Sequence, residues 1–192
     1  MYLVFDTETT GFPHKDPQGK IIQPRIIQFA FVLLDESGKE MHRFKELIKP
    51  DGWEVPKEQF WIDHGYSTEG NEKNGVPISQ ALKEWEWCVK NCKVMVAHNL
   101  AYDAPIIAAE MDRIGLKIEG VRQKVCTMKA TVDFCAIPHP SRFGFKWPKL
   151  EELHEKLFGC KFDNAHDALA DVLATAKCFF ELKKNGLIEI ES

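Results

Sequence analysis

No apolar run in these 192 residues approaches the ~20 needed to cross a bilayer as a helix. The opening residues, Met1-Tyr2-Leu3-Val4-Phe5-Asp6, carry no basic charge and too short an apolar stretch for a secretory signal. A cytoplasmic setting without membrane contact is the expectation. Cys-x-x-Cys pairs are missing as well. The six cysteines (Cys88, Cys92, Cys126, Cys135, Cys160, Cys178) are scattered, which favours free, buried thiols over disulfides. Cys88 and Cys92 stand four apart and would share a helix face, but no further Cys or His pair stands nearby to complete a zinc site. Repeats, low-complexity tracts and a dividing linker are also absent, and the length suits one domain over residues 1–192. Nor is there a basic excess. The formal charge is −4, which runs against the usual sign for a nucleic-acid binder.

What is present is enough for a core: 44% apolar and 11% aromatic residues make disorder an unsuitable reading. Residues 2–7 read as a short apolar strand, and 26–34 are apolar enough for the middle of a sheet. After the turn Asp35-Glu36-Ser37-Gly38, residues 41–48 alternate well enough to return antiparallel. Pro56 opens a short helix ending near Gly65, and 79–91 form another. A buried strand at 94–97 leads into a helix over 101–114, closed by Gly115. A strand at 122–126, a helix at 127–135, a loop at 138–148 and a helix at 149–158 follow. The last helix runs from about 165 to 184, with its apolar residues in one stripe. Three meandering strands, then strands alternating with helices, predict an α/β fold: a mixed sheet with helices packed on its faces.

Asp6 and Glu8 end the first strand. Strand side chains alternate, so the two carboxylates share a face, where like charges are costly unless a hard cation sits between them. A solvated strand end is the plain alternative. Asp103, His166 and Asp171 have plain readings too: a helix N-cap, a surface histidine and a solvated helix residue.

Their joint occurrence changes the weighing. Asp6-Thr7-Glu8-Thr9-Thr10-Gly11, His98-Asn99-Leu100-Ala101-Tyr102-Asp103 and His166-Asp167-Ala168-Leu169-Ala170-Asp171 resemble, in order, the three motifs of the DEDD exonucleases. The His-x4-Asp spacing of the third places the resemblance in the DEDDh branch. Ile62-Asp63-His64-Gly65 and Leu150-Glu151-Glu152-Leu153 resemble the segments this family carries between them. The similarity covers about residues 2–182, and Tyr102 departs from the family's usual phenylalanine.

The resemblance implies a ribonuclease H-like mixed five-stranded sheet with helices on both faces, and 3′→5′ exonuclease activity. Asp6, Glu8, Asp103 and Asp171 would hold two Mg²⁺ or Mn²⁺ ions, with His166 as general base. Thr7, Thr9, His64, His98 and Asn99 would lie beside the terminal nucleotide. The chemistry stands on its own terms. Phosphodiester hydrolysis needs a hydroxide near neutral pH and stabilised attacking and leaving oxygens, which two metals ~3.5–4 Å apart supply. A histidine with a reference pKa of about 6.5 can take the water's proton. Two divalent ions would also cancel the formal charge.

The implied partner is single-stranded or 3′-terminal nucleic acid, with DNA favoured. An exoribonuclease, or a module whose main role is to join a polymerase, are the alternatives. The wider family includes the proofreading epsilon subunit of bacterial DNA polymerase III, so a polymerase is a candidate partner. Only 187–192 remain beyond the last helix, which favours a stand-alone nuclease or a separately encoded proofreader.

Four structural expectations follow. Five residues span ~500° on an ideal helix, so His166 and Asp171 would point ~140° apart if both were helical. His166 must therefore lie in the first turn or before it, with Asn164 as the expected N-cap. Trp85 and Trp87 are two apart, so one should be partly exposed. The 138–148 loop mixes cations with aromatics, as single-strand grips do. A connector whose aromatics tuck under the next helix is the preferred reading. The 14–24 segment is longer than the minimal family pattern and could shape the cleft.

Overall fold

The most apolar segment of the chain sits where its composition demands. In the computed structural model, which describes residues 1–120 and 122–191, β4 (Ile26–Leu34) is buried at every position. It lies between β5 (Glu40–Leu47) and β1 (Tyr2–Thr9), antiparallel to both. On the other side of β1, β6 (Val94–Ala97) and β7 (Gln123–Cys126) run parallel to it, giving the order β5-β4-β1-β6-β7. This is the expected mixed five-stranded sheet. The expected domain end, Ser192, lies outside the described residues.

Period-two alternation splits the strands between two cores. Leu3, Phe5, Phe29 and Phe31 pack with α3 (Ile78–Asn91) and α4 (Leu100–Arg113). Val4, Ala30 and Val32 pack with α7 (Leu150–Phe158) and α8 (Ala168–Lys184) on the opposite face. Trp85 is buried against Phe5 and Phe29, while Trp87 is half exposed, as their spacing requires. All six cysteines are free; Cys88, Cys92, Cys135 and Cys178 are buried, whereas Cys160 is exposed.

Several local expectations need correction. β1 continues to Thr9, because β4 carries the pairing on through a bulge. A small hairpin of β2 (His14–Lys15) and β3 (Ile21–Ile22) fills the long 14–24 segment. The helix expected from Pro56 is only α1 (Gln59–Asp63), and α2 (Thr68–Asn74) follows it. α2 has no apolar stripe to announce it; it is capped by Ser67 and anchored by Asn71, whose amide donates to the carbonyls of Ile27 and Ile48. The helix expected over 127–135 is two turns, α5 (Thr127–Ala130) and α6 (Val132–Cys135), broken at Thr131, whose hydroxyl bonds back to Thr127 O.

The last helix starts three residues later than expected. Asp167, not Asn164, is its cap, its Oδ1 accepting from Ala170 N at 3.1 Å. Asn164 and His166 both take positive φ, 59° and 71°. The 138–148 loop is also not the expected tucked connector: Phe143 is fully exposed, and Phe145 and Trp147 are exposed as well.

Candidate active site

Asp6 and Glu8 continue the alternation of Tyr2 and Val4, so they sit on the α8 face of β1. β6 pairs with β1 only through Val4–Val96, and beyond that point β1 runs on alone on that side. Asp103, from the first turn of α4, reaches the gap. Its Oδ1 accepts from Thr7 N at 3.1 Å and from Thr7 Oγ1 at 2.7 Å. Asp103 is therefore not a helix cap; Asn99 holds that position, in the left-handed conformation that Asn tolerates.

Asp171 lies in the first turn of α8, and His166 in the bent segment before it. The positive φ at His166 turns its N–H towards Asp171 Oδ2, 3.3 Å away, so ring and carboxylate converge without both being helical. One ligand atom each from Glu8, His166 and Asp171 lie within 4.8 Å of one another, the one such grouping of metal-ligating side chains among the described residues. Asp171 Oδ1 is buried with no partner.

The electrostatics are those of an uncompensated acidic site. Burial, then Asp103, Asp171 and Glu8, push the Asp6 carboxyl well above its ordinary range. Burial, then Asp171 and Asp103, raise Glu8 to about 8. Asp103 and Asp171 are raised chiefly by burial, against the hydrogen bonds from Thr7 and from His166 N that favour their charged forms. Among the described residues no cation pairs with these four. An orphaned buried carboxylate oxygen on Asp171, among four converging carboxylates, fits a hard divalent cation. The His166 ring moves the other way: burial and the neighbouring His64 lower its pKa, keeping it neutral near pH 7.

The four carboxylates and His166 line a cavity of about 530 Å³ with Thr7, Thr9, His98, Asn99 and Tyr102. His64 stands at its edge, 5.0 Å from His166 between ring centroids, with Nδ1 donating to Phe60 O. Of the expected substrate contacts, Thr7, Thr9 and His98 are all engaged within the protein. The Thr7 hydroxyl is given to Asp103. His98 Nε2 donates to Pro148 O at 3.0 Å while Nδ1 faces Thr127 Oγ1 at 3.0 Å, and burial lowers its pKa to about 4. Thr9 is held by Tyr102, whose hydroxyl lies 2.6 Å from Thr9 Oγ1 and donates to Gly11 O at 2.7 Å. The family's phenylalanine would lack that tie.

Sequence reasoning missed the supports around this site. Trp61 Nε1 donates to Thr9 O at 3.0 Å, and Phe12 and Phe60 complete the apolar wall. Gln28, opposite Glu8 in the ladder, accepts from Ala168 N and Tyr66 OH; Tyr66 OH also reaches His166 O at 3.2 Å. The signal for Gln28 was available: it is the one polar side chain in the 26–34 run.

The family model described as Exonuclease (RNase_T) matches residues 3–179. The chain belongs to the exonuclease family. As a member it is 30% identical over 187 residues to the PolC-type DNA polymerase III of Streptococcus suis, covering 97% of this chain and 11% of that protein. It is 30% identical over 183 residues to the 3′-5′ exonuclease DinG of Bacillus subtilis, covering 94% and 17%. This exonuclease-family chain thus spans under a fifth of the length of these relatives. Among solved structures, the nuclease domain of 3′hExo, a DEDDh family member bound to rAMP, aligns at TM-score 0.71 and 18% identity, over 100% of this chain and 96% of that one. E. coli Exonuclease I in complex with a dT13 oligonucleotide aligns at 0.71 and 18%, over 95% and 40%. These likenesses show the ribonuclease H-like fold, and exonucleases of the DEDDh type are divalent-metal dependent.

Proposed function

We propose that the chain is a 3′→5′ exonuclease domain over residues 1–192, acting in the cytoplasm on single-stranded or frayed 3′ ends, with DNA favoured over RNA. The observation that carries the reading is the convergence of Asp6, Glu8, Asp103 and Asp171, all held above their ordinary pKa, on one cavity that the His166 ring also lines. The four carboxylates would hold two Mg²⁺ or Mn²⁺ ions, which, when bound, would supply a hydroxide near neutral pH and stabilise charge on the reacting oxygens.

The protein's own part is positioning and proton transfer. Thr7 fixes the Asp103 carboxylate from two donors. Trp61 and Tyr102 fix the backbone and hydroxyl of Thr9, which with Asn99 and His64 would contact the terminal nucleotide. Phe12 and Phe60, which line the cavity, would pack against its base. The His166 ring, without a hydrogen-bond partner among the described residues, would take the proton of the attacking water, its backbone clamped by Asp171 and Tyr66. The two curated relatives named above are a DNA polymerase and a 3′-5′ exonuclease, which supports DNA. The polymerase relatives also support a second reading, in which the domain works attached to a polymerase.

End-labelled single-stranded DNA, duplex DNA with a mismatched end, and RNA, each with Mg²⁺, Mn²⁺ or EDTA, test the proposal. Trimming from the 3′ end that EDTA stops is expected; full activity in EDTA would remove the metal mechanism, and preferential RNA trimming would reverse the substrate assignment.

A second expectation concerns stability. A carboxyl whose folded pKa is raised contributes stability that is complete below its unfolded pKa, about 4, and lost as pH rises through the folded value, about 8 for Glu8. The Tm in EDTA should therefore fall between about pH 4 and pH 8. Divalent metal at about 100 times its Kd adds about 2.7 kcal/mol. At about 2–4 °C per kcal/mol for this size, Tm should rise by roughly 5–10 °C. Melts at pH 5 and pH 8 check this; a metal effect larger at pH 5 than at pH 8 would overturn it.

A further inference from the structure

The 138–148 segment does not line the cavity described above, yet it is a built feature attached to that site. Pro138 and Phe145 form an antiparallel bridge, His139 N donates to Gly144 O, and Lys146 N donates to Ile137 O, both at 2.9 Å. Gly144 takes φ 100° in the turn, which suits glycine. The result is a small hairpin. Its far end is tied to the cavity wall, where Pro148 O accepts from His98 Nε2.

The surface of this hairpin is unusual for the molecule. Residues 138–149 carry Arg142, Lys146 and Lys149 and no acid, in a chain of net charge −4. Lys146 is committed to Glu152, with Nζ 2.6 Å from both carboxylate oxygens, which braces the hairpin on α7. Arg142 and Lys149 are exposed. So are Phe143, at 106%, and Trp147, at 60%, and neither ring has a ring partner among the described residues. Phe143, Phe145 and Trp147 put three exposed rings within five residues, a cluster rather than the scattered single apolar residues normal on a surface. Flat rings alternating with exposed cations match a single polynucleotide strand, whose bases stack and whose phosphates are anionic.

We propose that this hairpin grips the single-stranded segment upstream of the 3′ terminus, Phe143 and Trp147 stacking on bases while Arg142 and Lys149 meet phosphates. The proposal rests on the exonuclease reading and extends it. The carboxylate cavity holds the terminal nucleotide, and the hairpin holds the strand that leads to it. Long substrates would then bind more tightly than short ones for a reason separate from the chemistry.

The test is the variant Arg142→Ala/Phe143→Ala/Trp147→Ala, with Phe143→Ala alone as a change that cannot cost the core. Rates are measured on a dT12 oligonucleotide and on the p-nitrophenyl ester of thymidine 5′-monophosphate, which is too short to reach the hairpin. Binding of dT12 is measured separately by fluorescence anisotropy in EDTA. KM and Kd for dT12 should rise about tenfold or more in the triple variant. The slope of log affinity against log salt should shrink by about 0.7 for each phosphate that the variant no longer neutralises. The ester sets the reference for the site itself. Unchanged dT12 binding would overturn the proposal, and so would an equal loss on ester and dT12, which would assign the hairpin a supporting role only. A wild-type protein that binds dT12 through the hairpin but cuts neither substrate would overturn the exonuclease reading and leave the grip standing.

Discussion

Asp6→Asn should abolish cleavage and at the same time make the metal-free protein more stable at pH 8. The two effects have one cause. Asp6 is raised chiefly by burial and then by the charges of Asp103, Asp171 and Glu8. In the unfolded chain its carboxyl ionises near pH 4, so ionisation opposes folding as pH rises towards the raised folded value. An amide of the same shape removes the charge and its repulsion. It also removes an oxygen ligand where charge is needed, and the loss of several kcal/mol of transition-state stabilisation lowers the rate about 10³-fold or more.

Thermal melts in EDTA should show the variant above the wild type at pH 8, the difference narrowing towards pH 5. Saturating Mg²⁺ or Mn²⁺ should reverse the order, because only the wild type keeps the full ligand set. Asp171→Asn should lose activity equally, but it touches the His166 clamp through Oδ2, so its stability gain should be smaller. An Asp6→Asn protein that melts below the wild type at pH 8 in EDTA would show that the site is not under repulsion. Retained cleavage would remove Asp6 from the metal set.

The carboxylates were legible in the sequence because their placement needs only local rules. Strand alternation puts Asp6 and Glu8 on one face, and a buried strand followed by a helix puts Asp103 at the same sheet edge. His166 was legible only as a conflict. The helical spacing set it ~140° from Asp171, and the resolution, a positive φ at 166 with the cap moved to Asp167, depends on contacts distant in sequence. Lys45 pairs with Asp167 at 2.6 Å, Gln28 accepts from Ala168 N, and Tyr66 holds His166 O. None of these pairings leaves a local pattern. α2 escaped for a related reason: Thr-Glu-Gly-Asn-Glu-Lys-Asn buries only Asn71, so no hydrophobic period marks it. The exposed rings of the 138–148 hairpin ran against expectation because apolar composition alone does not say whether a covering layer exists.

His166→Ala should lower the cleavage rate at least about 10²-fold at saturating metal, with metal binding by the four carboxylates retained. Mg²⁺ takes oxygen ligands, and the four carboxylates supply them, which leaves the ring for the water's proton. Burial and His64 both lower the pKa of that ring, and bound cations would lower it further. Wild-type activity should therefore climb with pH through a transition below the ordinary histidine value of about 6.5 and level off by neutrality. In His166→Ala that acid limb should disappear along with most of the rate. His64→Ala tests the same argument from outside. Removing the neighbouring ring takes away one cause of the depression, so the limb should move to higher pH while the plateau changes less than in His166→Ala. A His166→Ala enzyme within threefold of the wild type, with the acid limb intact, would assign the proton transfer elsewhere and leave the ring a role in shaping the bent segment ahead of α8.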